Sequence, residues 1–283
     1  RGLGDVYKRQ QHNINFIPGV NEDLGATLIY GSQMAGMVSN VKYDGVLGMW
    51  YGKAPGVDRS GDIFRHANFL GVGKNGGVLA VAGDDPSCKS STLPSQSEPA
   101  LFDAMMPIFY PGNVQEILDL GRYAYEMSRY SGLWSGFKIV TDIADAFGSA
   151  IVHPERININ IPNFEYNGEP WKHTQNAKLV GHHSLPTEKE IHLGRIEAAK
   201  QFLASNNINK ITIKSEKDSI GIITAGKTYY DLVEALDSLG WNEDFLNDKG
   251  IRILKLGATF PVDSHIIKTV SYTHLTLPTS DLV

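Results

Sequence analysis

Short apolar runs that stop at glycine recur along this chain. GVLGMWYG spans Gly45–Gly52 and GGVLAVAG spans Gly76–Gly83. MMPIFYP, from Met105, and GFKIVTDIAD, from Gly136, are built alike. Runs of this length, apolar at successive positions, suit strands covered on both faces, the habit of parallel sheets. Helix signals lie between them. Asn113 with Glu116 three residues later makes a capping arrangement before ILDLGRYAYEMSRYSG. Leu118, Tyr125 and Met127 supply part of that helix's buried face. Strands alternating with helices imply right-handed crossovers and an α/β fold with a doubly wound, mainly parallel sheet. Such sheets collect ligands at the carboxyl ends of their strands.

The 283 residues suffice for one to two domains. A formal net charge of −5 is the wrong sign for a phosphate-tracking surface, so no nucleic-acid partner is expected. Cys88 is the one cysteine, which excludes a disulfide framework, a four-cysteine zinc site and an iron–sulfur cluster held by this chain. A reducing, cytoplasmic setting follows. No apolar run approaches the roughly 20 residues that cross a bilayer, and no membrane role is expected. RGLGDVYKRQ (1–10) and SYTHLTLPTSDLV (271–283) resemble translated sequencing-adaptor sequence and are set aside from the fold reading.

The texture changes after about Ala150. RININI alternates with period two and is followed by a polar loop bearing Gly and Pro. PTEKEIHLGRIEAAKQFLASNN then predicts a helix, with Thr187 as N-cap and Glu190 at the capping-box position. Residues 151–215 read as a linker with one helix. A second α/β unit begins at 216: IGIITAG as a strand, KTYYDLVEALDSLG as a helix ended by Gly240, and GIRILKLGATFP as another strand. It stops short of a full domain at 270.

Three constellations have a plainer reading beside the chemical one. GIITAGKT (Gly221–Thr228) satisfies the phosphate-loop pattern G-x-x-x-x-G-K-[ST]. Its first glycine sits inside the apparent strand instead of after it, so Lys227 and Thr228 read as the first turn of a helix. His182, His183 and His192 sit in or beside a polar linker without a cysteine partner, and solvated histidines are the plainer reading. Cys88 has Lys89 beside it, which favours a thiolate, but no histidine nearby in sequence to act as base.

FIPGVNEDLGATLIYG (Phe16–Gly31) places acids at a strand-to-helix junction. The plain reading has Asn21 capping the helix while Glu22 and Asp23 complement its dipole. The alternative is a ligand site, because the glycine-rich ends WYGKAPGVDRSG and VAGDDPSCKSSTLPSQSE follow two other candidate strands and could meet it at one rim.

PGVNEDLGATLIYGSQ, GMWYGKAPGVDRSGDIFRHAN, GGVLAVAGDDPSCKSSTLPSQSE and PGNVQEILDLGRYAYEMSRYSGLWSGFK closely resemble the pyrimidine-binding domain of indolepyruvate:ferredoxin oxidoreductases. These are thiamine-diphosphate-dependent 2-oxoacid:ferredoxin oxidoreductases. IGIITAGKTYYDLVEALDSLG and GIRILKLGATFP resemble the start of their next domain, which is similar to the transketolase C-terminal domain. The resemblance implies an N-terminally truncated pyrimidine-binding domain over 11–150 and a partial transketolase-C-like domain over 216–270. It makes the phosphate-loop match accidental.

The resemblance also implies a role for Glu22, in NEDLGA, as catalytic and cofactor-binding residue. A glutamate at that place hydrogen-bonds the N1′ nitrogen of the cofactor's aminopyrimidine. A proton shared there favours the imino form, whose nitrogen can take the proton from the thiazolium carbon. Burial is expected to raise the carboxyl pKa and help it hold that proton. Asp23 is better placed as a helix-start residue. Lys53, Arg59, Arg65 and His66 are candidates to face a substrate carboxylate, and Asp84, Ser90 and Ser91 to line the cleft.

The family's other cofactor half carries a G-D-G motif and a later asparagine that hold magnesium and diphosphate. This sequence has GDD at Gly83 and no such motif, so no metal ligands are assigned. The parent enzyme is expected to use thiamine diphosphate with Mg2+ and [4Fe-4S] clusters, with none of the clusters in this chain. It is expected to convert an aryl 2-oxo acid such as indolepyruvate to an acyl-coenzyme A and to reduce ferredoxin. Its expected partners include the diphosphate-binding and iron–sulfur domains and a second copy of itself. The alternatives are a pyruvate- or 2-oxoglutarate-type enzyme, or a non-catalytic partner subunit of the same fold. The fragment alone is expected to be inactive.

Overall fold

The computed structural model describes residues 11–153 and 155–271. The adaptor-like segments lie outside the described residues, except for Ser271.

Helix α1 (Glu22–Gln33) starts where Asn21 turns its side chain back to accept from the Leu24 amide at 2.9 Å. Next come β1 (Leu47–Lys53), the short α2 (Ala54–Arg59), α3 (Gly61–Leu70) and β2 (Gly77–Asp84). The short α4 (Glu98–Asp103) precedes β3 (Ile108–Phe109). Helix α5 (Val114–Ser131) is capped by Asn113 as the sequence predicts and closes at Gly132 with φ of 87°. Strand β4 (Ser135–Val140) and a single turn, α6 (Thr141–Ala144), complete this stretch.

The sheet order is β1-β2-β4-β3, all parallel. Both faces are covered over β2, whereas one face of the edge strand β1 leaves Leu47, Met49 and Tyr51 exposed, against the expectation of two-sided burial. Val78, Ala80 and Ala82 of β2 face a core with Ala26, Val57 and Phe64, while Leu79 faces one with Ala124, Met127 and Phe137. Such two-sided burial is why β2 reads as a continuous apolar run. On α5, Leu120, Ala124 and Met127 are buried and Tyr125 is partly so, but Leu118 is exposed, against expectation. At about 100° per residue, Leu118 lies on the face opposite the stripe that Leu120, Ala124 and Met127 define.

The segment read as a linker carries more than one helix. It forms a two-residue hairpin, β5 (Glu165–Tyr166) and β6 (Glu169–Pro170). A helical rod follows: α7 (Ser184–Glu190), a π turn at Ile191–Arg195, and α8 (Ile196–Ser205). Ala199, Phe202 and Leu203 of α8 join the core beneath α5. Thr187 does not cap this rod. Its hydroxyl donates to the His183 carbonyl at 2.9 Å, one turn back, and Glu190 pairs with Arg195 at 2.9 Å. No strand is assigned to RININI.

A second sheet has the order β7-β9-β8, from β7 (Asn209–Ile213), β8 (Ile220–Ala225) and β9 (Ile251–Leu256). Helices α9 (Gly226–Ser238) and α10 (Glu243–Asp248) lie between β8 and β9 in sequence. GIRILKLGATFP is not one strand. It breaks at Gly257, and β10 (Ala258–Phe260) crosses over to pair antiparallel with β3. Asn209 fixes the break, since its side-chain oxygen accepts from the amides of both Gly257 and Ala258 at 2.9 Å. Helix α11 (Ser264–Ser271) ends the described chain.

Candidate functional site

The parallel register sets Lys53 at the end of β1 opposite Gly83 near the end of β2. Glu22 occupies the first turn of α1 above this rim. Its backbone carbonyl accepts from the Trp50 indole at 2.9 Å, and Trp50 is buried against Phe64 edge-on at 5.1 Å. Two glycines make the floor beneath its stem. A Cβ on Gly56 would stand 2.5 Å from Glu22 Cγ, and one on Gly52 would stand 3.6 Å from it. Any larger residue at position 56 would push the Glu22 side chain away.

Glu22 itself is exposed, which corrects the expectation that this chain buries it. Its neighbour Asp23 receives the Arg59 side chain at 2.6 Å. That hydrogen bond holds the Asp23 carboxyl below its usual range.

The other expected residues sort by their partners. Arg59 is engaged with Asp23, Arg65 with Asp103, and His66 loosely with Asp62 at 3.7 Å. Lys53 is exposed and enters no ion pair among the described residues. It is the cation of the four left available at the rim.

Asp84 does not line an open cleft. It is buried, and accepts from the Ser97 amide at 2.8 Å and hydroxyl at 2.6 Å, with Lys138 at 3.7 Å. Burial pushes its carboxyl above the usual range. Lys138 also pairs with Glu98 and sits 4.5 Å from the Tyr110 ring centre. Ser90 and Ser91 turn their amides onto Asp85, each at 2.8 Å, and Lys89 adds a third amide at 2.8 Å. Those amides, Ser90 foremost, hold Asp85 well below the usual carboxylate range. The loop after β2 is therefore organised around an internal acid. Cys88 stands in it half-buried, with φ of 54°.

The phosphate-loop match has a packing explanation. Gly226 adopts φ of 52°, and a Cβ there would stand 2.4 Å from the Tyr110 ring. A Cβ on Gly112 would stand 2.3 Å from the Gly226 carbonyl oxygen. This glycine lets the second unit touch the carboxyl end of β3. Lys227 pairs with Asp231, and the Thr228 hydroxyl donates to the Ala225 carbonyl at 2.6 Å. The Tyr110 hydroxyl meets the Lys227 backbone, and burial pushes its pKa up to about 12. Alongside, Glu116 accepts from the Gly112 amide and the Tyr230 hydroxyl, both at 2.9 Å, and from buried Lys255. Burial lowers the Lys255 pKa and raises that of Tyr230.

The His182 and His183 rings lie 4.1 Å apart, tilted by 41°, and His182 and His192 are exposed. No group of three His, Cys, Asp or Glu converges on a metal-sized point among the described residues. No described helix is long and apolar enough to cross a membrane.

A family model described as "Indolepyruvate oxidoreductase domain" matches residues 210–273. The indolepyruvate oxidoreductase subunit IorA of Pyrococcus horikoshii is 28% identical over 231 residues, 79% of this chain and 33% of that protein. The chain is a relative of the indolepyruvate oxidoreductase subunits. The IorA of Archaeoglobus fulgidus is 27% identical over 203 residues, 71% of this chain and 30% of that protein. The chain thus spans about a third of the length of the curated IorA proteins it matches. A 2-oxoglutarate:ferredoxin oxidoreductase from Magnetococcus marinus has a similar fold. Its TM-score is 0.64 at 13% identity, over 95% of this chain and 50% of that one.

Trp50, Gly52 and Gly56, which contact Glu22, were not among the residues expected at the site. The available signal was GKAPG, whose second glycine, Gly56, falls inside the short α2. Glycine within a helix weakens it and needs a packing reason.

Proposed function

We propose that this chain supplies the acidic half of a thiamine-diphosphate site, with Glu22 as its catalytic residue. The parent is a 2-oxoacid:ferredoxin oxidoreductase that converts an aryl 2-oxo acid of the indolepyruvate kind to its acyl-coenzyme A. One observation carries the reading: a carboxylate stem laid over a floor of two glycines, at the carboxyl rim of a parallel sheet. The floor leaves room beside the acid, and Trp50 fixes its backbone.

These residues fit the aminopyrimidine half of the cofactor. Glu22 would offer a carboxyl oxygen to the ring nitrogen and share a proton with it there. When bound, thiamine diphosphate supplies the carbon nucleophile and the electron sink that a 2-oxo acid needs to lose carbon dioxide. Lys53, exposed at the end of β1, would attract the substrate carboxylate by charge. The diphosphate half is proposed to come from elsewhere, since this sequence carries no G-D-G motif. Magnesium, the diphosphate site, the [4Fe-4S] clusters and the cover over Glu22 are assigned to surfaces beyond this chain, including a second copy. The domain division at 150 and 216, and a cytoplasmic setting, belong to the same proposal.

A non-catalytic scaffold is the second reading, and the exposure of Glu22 favours it. Turnover of Glu22→Gln separates the scaffold reading, and assay of the complete enzyme with coenzyme A and ferredoxin separates the substrate classes. The proposal expects a higher kcat/KM for arylpyruvates than for pyruvate or 2-oxoglutarate. The reverse order would assign another substrate class.

A further inference from the structure

Asp23 and Arg59 flank the proposed catalytic acid without being part of its chemistry. Helix α2 meets the first turn of α1 at two points. Gly56 lies beneath the Glu22 stem, and one turn later Arg59 Nε reaches Asp23 Oδ1 at 2.6 Å. The Glu22 backbone is fixed separately, by the Trp50 indole on its carbonyl and by the Asn21 cap just before it. What those two contacts leave unset is the distance between the glycine floor and the acid's stem. That distance depends on how closely α2 sits on α1. The Arg59–Asp23 contact is the charged link between them. The Arg59 guanidinium also lies within the field of Glu22, whose carboxylate raises its pKa after the larger effect of Asp23.

We infer that Asp23 and Arg59 are positioning residues for Glu22: their ion pair pins α2 to the first turn of α1 and so holds the Gly52–Gly56 floor against the Glu22 stem. The inference rests on the proposed role of Glu22. Both side chains are partly in water, at 54% and 37% exposure, so the pair does little for overall stability. A merely structural role would leave no trace in how the acid meets a ligand.

The test uses the complete enzyme and two probes: thiamine diphosphate, and its analogue with carbon in place of N1′. The analogue cannot make the Glu22 hydrogen bond. Arg59→Gln is expected to weaken thiamine diphosphate binding by about two- to five-fold, the range open to an exposed ion pair, and to leave analogue binding unchanged. Arg59→Lys is expected to restore most of the loss, since lysine keeps the charge. The melting temperature should not move. Equal weakening of both probes, or of neither, overturns the inference. Glu22→Gln is the control: if it too fails to distinguish the probes, the reading of Glu22 falls first and takes the inference with it.

Discussion

The Cγ atom of Glu22 lies 2.5 Å from the point where a Cβ on Gly56 would stand. One glycine in α2 therefore determines where the candidate catalytic acid can rest.

Gly56→Ala is the sharpest steric probe. Gly56 lies in helical backbone, so alanine is conformationally acceptable there and can even favour the helix. The exposed Glu22 side chain can swing away, so the stability change should stay within about 1 kcal/mol. Thermal melting should show little, while cofactor affinity in the complete enzyme should fall as it does for Glu22→Gln.

Gly226→Ala should behave in the opposite way. The backbone at φ of 52° disfavours a Cβ, and the Tyr110 ring occupies its space. A loss of about 2 kcal/mol or more is expected by denaturant unfolding, from left-handed strain together with overpacking. Millimolar ATP should leave the melting temperature of the unmodified chain unchanged, because the phosphate-loop pattern here is a docking turn.

The buried charges at this junction are coupled. Lys255→Met leaves Glu116, which is only 18% exposed, without its cation. Breaking a buried pair from one side costs about 3–5 kcal/mol. The double variant with Glu116→Gln should recover part of that loss. A double-mutant cycle by urea unfolding measures the difference.

The strap around Trp171–Asn176 should carry a pH dependence. His173 lies with a ring nitrogen 3.2 Å from the Val72 carbonyl oxygen, and burial lowers its pKa below the ordinary value of 6.5. The native state then binds fewer protons than the unfolded chain in the window just below 6.5. Its contribution is full above 6.5 and is lost as pH falls through the folded pKa. Stability measured by urea unfolding should decline across that window, and His173→Gln should flatten the decline.

Much of the first sheet was legible because β1 and β2 are unbroken apolar runs and Asn113 is a clear cap. β3 shrinks to two residues because Pro107 and Pro111 bracket it. The break at Gly257 was not legible, since Asn209, far away in sequence, holds it open. Thr187 misled because its hydroxyl has a competing partner one turn back. At the site, the helix start was legible from the Asn21 cap, but the strand expected before it is absent: the chain ahead of α1 is irregular, and the role of Glu22 rested on the resemblance. Its glycine floor and the Asp23–Arg59 pair were not legible, because both depend on how α2 packs on α1.

The most direct measurement is turnover of the complete enzyme carrying Glu22→Gln. A carboxyl group that shares a proton with the cofactor ring is worth about 10²–10⁴ in rate, so kcat should fall by that factor with the fold intact. Turnover equal to that of the unmodified enzyme would contradict the account and leave the chain as a scaffold.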